Sequence, residues 1–294
     1  MRGSTVSLEG DASASAPIPE VVPVMAISDA WDFDELLSYE RVDLSQARLF
    51  NQSCASDLHF LFVHGAYHGA WCWVPMMRAL QSLDYGVSAI DIRGHGGLAQ
   101  REAFVRQGLS YAADDVVEAA NCLRDKNLVL VGHSLGGLIA MMAAEQLNLH
   151  ALVLMAPSPP GQLEGLEPLP AYPENQLIQP PAASVAKEKF FAGYEGDISE
   201  AVKRLCPESP AMMNDRYRLR VTIDRNKMNC PSLCLAAGRD LPHLHPPGQD
   251  EAVSTFLAGQ YMFLPHSAHD MMLDSHRHTV LRAMLDWLSN IEPA

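Results

Sequence analysis

The feature that most constrains this chain is the stretch NLVLVGHSLGGLIAMMAAEQL at residues 127–147. Five strand-type residues run into Gly132-His133-Ser134-Leu135-Gly136, and an Ala/Met/Leu-rich run follows at once. Glycines two places before and two places after a serine suit neither a strand interior nor a helix interior. They suit a chain that turns very sharply and leaves the serine exposed at the tip, the G-x-S-x-G nucleophile-elbow pattern. Such an elbow needs a strand before it, a helix after it, and partners for the serine from elsewhere in the chain.

The flanking sequence supplies alternating elements. "HFLFVHG" (59–65) is a continuous apolar run closed by glycine, as a strand buried on both faces reads. "WVPMMRALQSL" (73–83) carries apolar residues at 73, 76, 77, 80 and 83, which is helical spacing. "VSAIDIRGHGG" (87–97) reads as a short strand and a Gly-rich turn. "SYAADDVVEAANCLRDK" (110–126) reads as a helix with Ser110 as its N-cap. A strand over 127–131, a helix over 136–147 and a strand over 151–157 complete the run. Upstream, "ERVDLSQARLFNQ" (40–52) predicts two short strands around a Ser-Gln turn. The alternation from 59 to 157 predicts an α/β fold: a mostly parallel sheet with helices on both faces.

The alternation stops over residues 158–228. Pro-rich turns ("PSPPG", "PLPAYPENQLIQPP") and short helical candidates at 183–194 and 198–206 predict an inserted cap there. The core resumes with a strand in 231–240, a helix near 247–258, a strand over 260–266 and a closing helix near 275–290. The expected organisation is therefore a core of 26–157 and 229–294, a cap of 158–228, and a mobile tail over residues 1–25, rich in Ser, Ala and Pro.

With 294 residues, 48% of them hydrophobic, the chain can bury one large core and still carry an insertion. A formal net charge of −14 argues against nucleic acid as a partner, and no basic membrane-surface patch is evident. The same balance disfavours highly anionic substrates, although the local field of a site outweighs the total. None of Cys54, Cys72, Cys122, Cys206, Cys230 and Cys234 forms a zinc-type CxxC pair. Cys72, Cys122 and Cys234 lie in apolar patterned segments, so they read as buried thiols in a reducing compartment. Cytoplasmic localisation follows as the expectation, with an organelle lumen as the alternative if a targeting segment has been removed. No apolar run approaches the roughly 18 residues that span a bilayer.

Together, "FVHGAYHGAWCW", "DIRGHG", "GHSLGG", "AAGRD" and "HSAHDMMLD" make the chain from about residue 40 onward resemble the α/β-hydrolase family. "HGAYHGAWCW" resembles the oxyanion loop of its methyl-esterase and hydroxynitrile-lyase branch. The resemblance implies an eight-stranded, mostly parallel sheet with an inserted helical cap, and the order nucleophile, acid, histidine along the chain. Ser134 is then the nucleophile, Asp240 after "AAG" the acid, and His269 the base. His266 competes with His269, but His269 follows the last strand by a short loop, with Asp274 five residues on. The implied oxyanion donors are the backbone N–H groups of Ala66 and Leu135. Tyr67, His133, Met212, Met213 and Met271 are candidates for lining the substrate pocket.

Other polar residues carry blander readings. His64, His95 and His133 brace turns around the site, and Asp91 is a structural turn residue. The His243-Leu-His245 pair lacks a further ligand at fixed spacing, so no metal and no cofactor is expected. The implied activity is hydrolysis of a carboxylic ester or thioester of a small-to-medium lipophilic substrate through an acyl-enzyme, with a homodimer left open. A hydroxynitrile-lyase activity is the second reading. Those lyases place a Lys after the catalytic His and a Thr in the oxyanion loop, where this chain has Asp270 and Ala66. A ligand receptor with slow turnover is the third.

Overall fold

The computed structural model describes residues 31–243 and 245–291; the expected tail over 1–25 lies outside the described residues. Eight strands form one sheet in the order β1-β2-β4-β3-β5-β6-β7-β8. The strands are β1 (Glu40–Asp43), β2 (Arg48–Gln52), β3 (Leu58–Val63), β4 (Gly86–Asp91), β5 (Asn127–His133), β6 (Ala151–Met155), β7 (Ser232–Ala237) and β8 (Gln260–Leu264). β1 and β2 form an antiparallel hairpin, and β2 runs antiparallel to β4. Every other pairing is parallel.

The central strands are the most apolar, and they are covered on both faces. Phe60, Leu61, Phe62 and Val63 of β3 and Val129, Leu130 and Val131 of β5 are fully buried. The helices α1 (Val74–Gln81), α2 (Leu109–Asn121), α3 (Leu135–Ala144), α7 (Gln249–Leu257) and α8 (Arg277–Leu288) connect or follow the strands. α3 is Gly- and Ala-rich because its backbone packs hard against the sheet: a Cβ at Gly136 would meet the carbonyl oxygens of His64 and Val63.

α2 begins and ends differently from the expectation. Gly108 is its N-cap and Ser110 lies inside the first turn with no capping bond. The Asp215 carboxylate caps it instead, accepting the Leu109 N–H at 2.9 Å from the inserted segment. The helix stops at Asn121, and tight turns such as Leu123 N–H to Ala120 carbonyl replace the expected last turn.

Between β6 and β7 the chain leaves the sheet and forms three short helices: α4 (Ala183–Phe190), α5 (Ser199–Arg204) and α6 (Pro210–Tyr217). α4 is shorter than expected because Phe191 departs from helical geometry and Gly193 takes φ +78°, a left-handed conformation that turns the chain away. α6 starts on the Ser209-Pro210 pair, with the Ser209 hydroxyl accepting the Met212 N–H.

Candidate active site

β5 delivers Ser134 by the turn the sequence requires. Ser134 takes φ 51° and ψ −119°, a region rarely populated by a residue with a Cβ. Its N–H donates to the Met155 carbonyl (3.0 Å), and its carbonyl accepts from Ser158 N–H (2.8 Å) and Gly137 N–H (2.9 Å). The glycines make the bend possible by leaving no Cβ: at Gly132 one would meet the Gly136 carbonyl oxygen.

Three loops from one end of the sheet meet at the hydroxyl. The Ser134 Oγ lies 3.0 Å from His269 Nε2, and His269 Nδ1 lies 2.8 Å from Asp240 Oδ1. His269 follows β8 and Asp240 follows β7, so parallel strands carry all three residues to the same edge. Burial opposes charge on His269, but the adjacent Asp240 carboxylate and its hydrogen bond outweigh it and raise the imidazole pKa above 6.5. Burial likewise pushes the Asp240 carboxyl up; the His269 charge and hydrogen bond overcome this and hold it below the usual range. His266 is exposed, with its ring 5.7 Å from that of His276. Asp274 is buried and accepts the Ala268 N–H at 2.7 Å, bracing the loop that presents His269.

Ala66 and Leu135 line the same cavity as Ser134 and His269. Neither backbone N–H is taken by a carbonyl among the described residues. Leu135 is the first residue of α3, so its N–H has no partner within the helix. The Ala66 loop is held tightly. His68 Nδ1 contacts the Ala66 carbonyl (2.7 Å) and His68 Nε2 contacts Asp270 Oδ2 (2.9 Å). Asp270 is fully buried, and the His68 charge and hydrogen bond hold its carboxyl low against the opposing effect of burial.

A second buried carboxylate, Glu208 of the inserted segment, faces the same loop. Its Oε2 accepts the Tyr67 N–H (3.3 Å) and lies 3.0 Å from His95 Nε2, while the Cys206 N–H donates to the Tyr67 carbonyl (2.8 Å). Tyr67 itself sits at φ 68°. His133 is kept neutral, its pKa depressed to about 3 by burial and then by the nearby His269. Its Nε2 donates to the His269 carbonyl at 2.9 Å. His64 contacts the Gly65 carbonyl, and Asp91 accepts the Ala70 N–H at 2.7 Å.

The cavity over Ser134 has a volume of about 60 Å³. Of the five pocket candidates, Tyr67, His133 and Met213 line it, and Met212 and Met271 do not. Both are fully buried in the core. The reason at Met212 is helical phase: Met213, Arg216 and Tyr217 share one face of α6 and front the cavity, so Met212 turns away. Phe190 also lines the cavity, as do Lys189, Arg216, Ser158, Leu241 and His245, which the sequence did not mark for this purpose. His245 is the exception with a signal, singled out with His243 for another chemistry. Its Nε2 pairs with Asp250 (2.7 Å), and its Nδ1 lies 4.0 Å from Asp240 Oδ2.

Asp240, His245 and His269 offer ligand atoms within 4.8 Å of one another. Both ring nitrogens of His269 are already engaged, Nδ1 with Asp240 Oδ1 and Nε2 with Ser134 Oγ, so a cation bound through either would break one of these contacts. All six cysteines are free thiols; Cys72 and Cys234 are buried, whereas Cys122, expected to be buried, is exposed just past the end of α2. No helix among the described residues is long and apolar enough to cross a membrane.

The chain is similar to known proteins. The probable esterase PIR7A of Oryza sativa subsp. indica is 39% identical over 88 residues, covering 30% of this chain and 34% of that protein. Methylesterase 2 of Arabidopsis thaliana is 35% identical over 89 residues, again 30% of this chain and 34% of that protein. The aligned segment thus spans about a third of the length of these curated relatives. The crystal structure of the methylesterase protein MES16 from Arabidopsis superposes with a TM-score of 0.63 over 80% of this chain and 100% of that chain, at 20% identity, a likeness of fold. A profile of the alpha/beta hydrolase family matches residues 60–283, well over half of the chain, and the chain belongs to that family.

Proposed function

We propose that this protein is a serine carboxylesterase acting on small-to-medium esters with a lipophilic body. The observation that carries the reading is the hydrogen-bonded line Ser134–His269–Asp240 opening into a cavity that Ala66 and Leu135 also line. A serine hydroxyl is a weak nucleophile without such a base, and the base needs an orienting acid. Ser134 Oγ attacks the ester carbonyl carbon as its proton passes to His269 Nε2. The Ala66 and Leu135 N–H groups bind the resulting oxyanion. His269 then protonates the departing alcohol, and water, activated by the same nitrogen, releases the acid from Ser134. Asp240 steadies the imidazolium throughout and stays ionised.

The small volume at Ser134 favours a compact group on one side of the ester. A cavity of about 610 Å³ lies alongside, shares Arg216 and Tyr217 as a common wall, and is of a size that suits the larger part of a substrate. The esterase names among the relatives agree with this reading. Lyase chemistry is disfavoured because the residue after His269 is the buried carboxylate Asp270, not a cation.

A fluorophosphonate probe should label Ser134 alone, and Ser134→Ala should lose ester turnover by 10⁴-fold or more with an unchanged far-UV spectrum. Labelling at a cysteine, or turnover retained in the variant, refutes the assignment. Slow turnover with a large ligand-induced rise in Tm would instead identify a binding module.

A further inference from the structure

The cavity over Ser134 contains two cations that nothing in the ester-hydrolysis scheme uses. Lys189 is the penultimate residue of α4 and Arg216 the penultimate residue of α6, and both line the cavity with Ser134 and His269. Eight other lysines and arginines, including Arg78, Arg93, Lys203 and Arg204, have a carboxylate within 4.0 Å. Lys189 and Arg216 have none among the described residues, although the chain offers 35 Asp and Glu against 21 Lys and Arg. Both stand near aromatic faces. Lys189 Nζ lies 5.2 Å from the Phe190 ring centre and 5.9 Å from that of Tyr67, and Arg216 Cζ lies 5.6 Å from that of Tyr217.

Helix dipoles explain why basic residues occur in the last turns of α4 and α6. They do not explain why these two face the cavity. Lys187, in the same last turn as Lys189, reaches the Gly196 carbonyl outside it. Burial pushes both cations down from their ordinary pKa values. Asp240 is the one carboxylate among the described cavity-lining residues, and it is committed to His269. Asp270 acts on Lys189 at longer range and is committed to His68.

We propose that Lys189 and Arg216 form an anion-binding subsite, and that the substrate is an ester carrying a free carboxylate elsewhere in the molecule. This rests on the carboxylesterase reading above and names its substrate class. Arg216 also borders the 610 Å³ cavity, which Tyr172, Tyr217, Leu169 and Leu219 line. A substrate with its scissile carbonyl at Ser134 and its apolar body directed there passes the guanidinium, whose planar fork pairs with a carboxylate through two N–H groups. The net charge of −14 disfavours anions over the molecule as a whole, and the local field of these two side chains reverses that at the cavity. Glu167 also lines the larger cavity, but it is exposed.

The test pairs methyl esters of straight-chain monoacids with chain-matched monomethyl esters of diacids, from succinic to azelaic. Binding is measured by calorimetry on the Ser134→Ala protein, and kcat/KM on the intact enzyme, at low and high salt. The expected result is at least about tenfold tighter binding and higher kcat/KM for the half-esters at the best length, narrowing as salt screens the pairing. Arg216→Gln and, as an independent variant should that one misfold, Lys189→Met should each cut the half-ester advantage about tenfold. Equal binding of both series, or an advantage that survives both substitutions, overturns the subsite. Preferential binding of half-esters with no turnover of either series supports the subsite and overturns the carboxylesterase reading instead. Cations that serve only to hold the acid product would leave the two ester series equal, and so count against the proposal.

Discussion

On the sheet side of the cavity, Ser134, His269 and Asp240 are held by directed hydrogen bonds of 2.8 to 3.0 Å on loops that leave the parallel strands β5, β8 and β7 of one sheet. On the opposite side, Phe190, Met213, Arg216 and Tyr217 come from short helices held by packing and by a few long-range polar ties. The first wall admits one geometry, because a displacement of even an ångström breaks the proton path. The second tolerates change of shape, because apolar contact is non-directional. Substitutions on the sheet side should therefore act on rate, and those on the helical side on substrate choice.

The largest difference is expected within the loop after β8. His269→Ala should lower kcat/KM by about 10⁴-fold, while His266→Ala, at an exposed ring three residues earlier, should stay within about threefold. Steady-state kinetics on a p-nitrophenyl ester decides it, and the reverse ranking would reassign the base.

Asp240→Asn should follow, with a loss of about 10³- to 10⁴-fold, because the asparagine cannot support an imidazolium. Its pH profile carries further information. His269 must be neutral to accept the serine proton, and its pKa is raised, so wild-type kcat/KM should fall as pH drops through a value above 6.5. Removing the Asp240 carboxylate leaves burial opposed mainly by the weaker effect of the Asp270 charge and should move that limb to lower pH. An unmoved limb in the variant would mean that another group sets the profile.

The contrast between the walls also explains what the sequence could disclose. The meeting of Ser134 at the elbow, Asp240 after β7 and His269 after β8 is legible because each is tied to a local signal: a glycine pair or a strand end followed by a short loop. The strands are legible because they are buried on both faces and read as continuous apolar runs. The supporting carboxylates are not, since Asp270 meets His68 across 202 residues and Glu208 meets the Tyr67 N–H across 141. Neither Lys189 nor Arg216 carries a sequence signal that separates it from a solvated helix-end cation such as Lys187. The Ser110 cap failed for a similar reason: the capping carboxylate is Asp215, 106 residues away.

Glu208 joins the two walls, so its variant should fall between them. The side chain is fully buried, and it fixes both the Tyr67 N–H and His95 beside the Ala66 loop. Glu208→Gln keeps the volume but weakens those bonds. A fall of about tenfold in kcat with little change in KM is expected, since the Ala66 N–H matters most when the oxyanion forms. A rise in KM alone would show that the residue shapes binding and not the oxyanion loop.

The smallest effect on rate should come from the adjacent methionines of α6, which differ only in the direction they face. Met213 fronts the cavity and Met212 points into the core, although both are almost fully buried. Met212→Ala removes core atoms with nothing to replace them and should cost about 2–5 kcal/mol of stability. Its relative kcat/KM values across a set of esters should be unchanged, because no cavity wall moves. Met213→Ala removes atoms from a wall that already adjoins empty space, so its stability cost should sit at or below the low end of that range. It enlarges a cavity of only about 60 Å³, so its selectivity should shift about 3- to 10-fold toward esters with a larger group at Ser134. Thermal unfolding and the ester panel, measured on both variants, separate the two roles. A selectivity change in Met212→Ala equal to that in Met213→Ala would mean that α6 shifts as a body, and that the helical wall is no more forgiving than the sheet side.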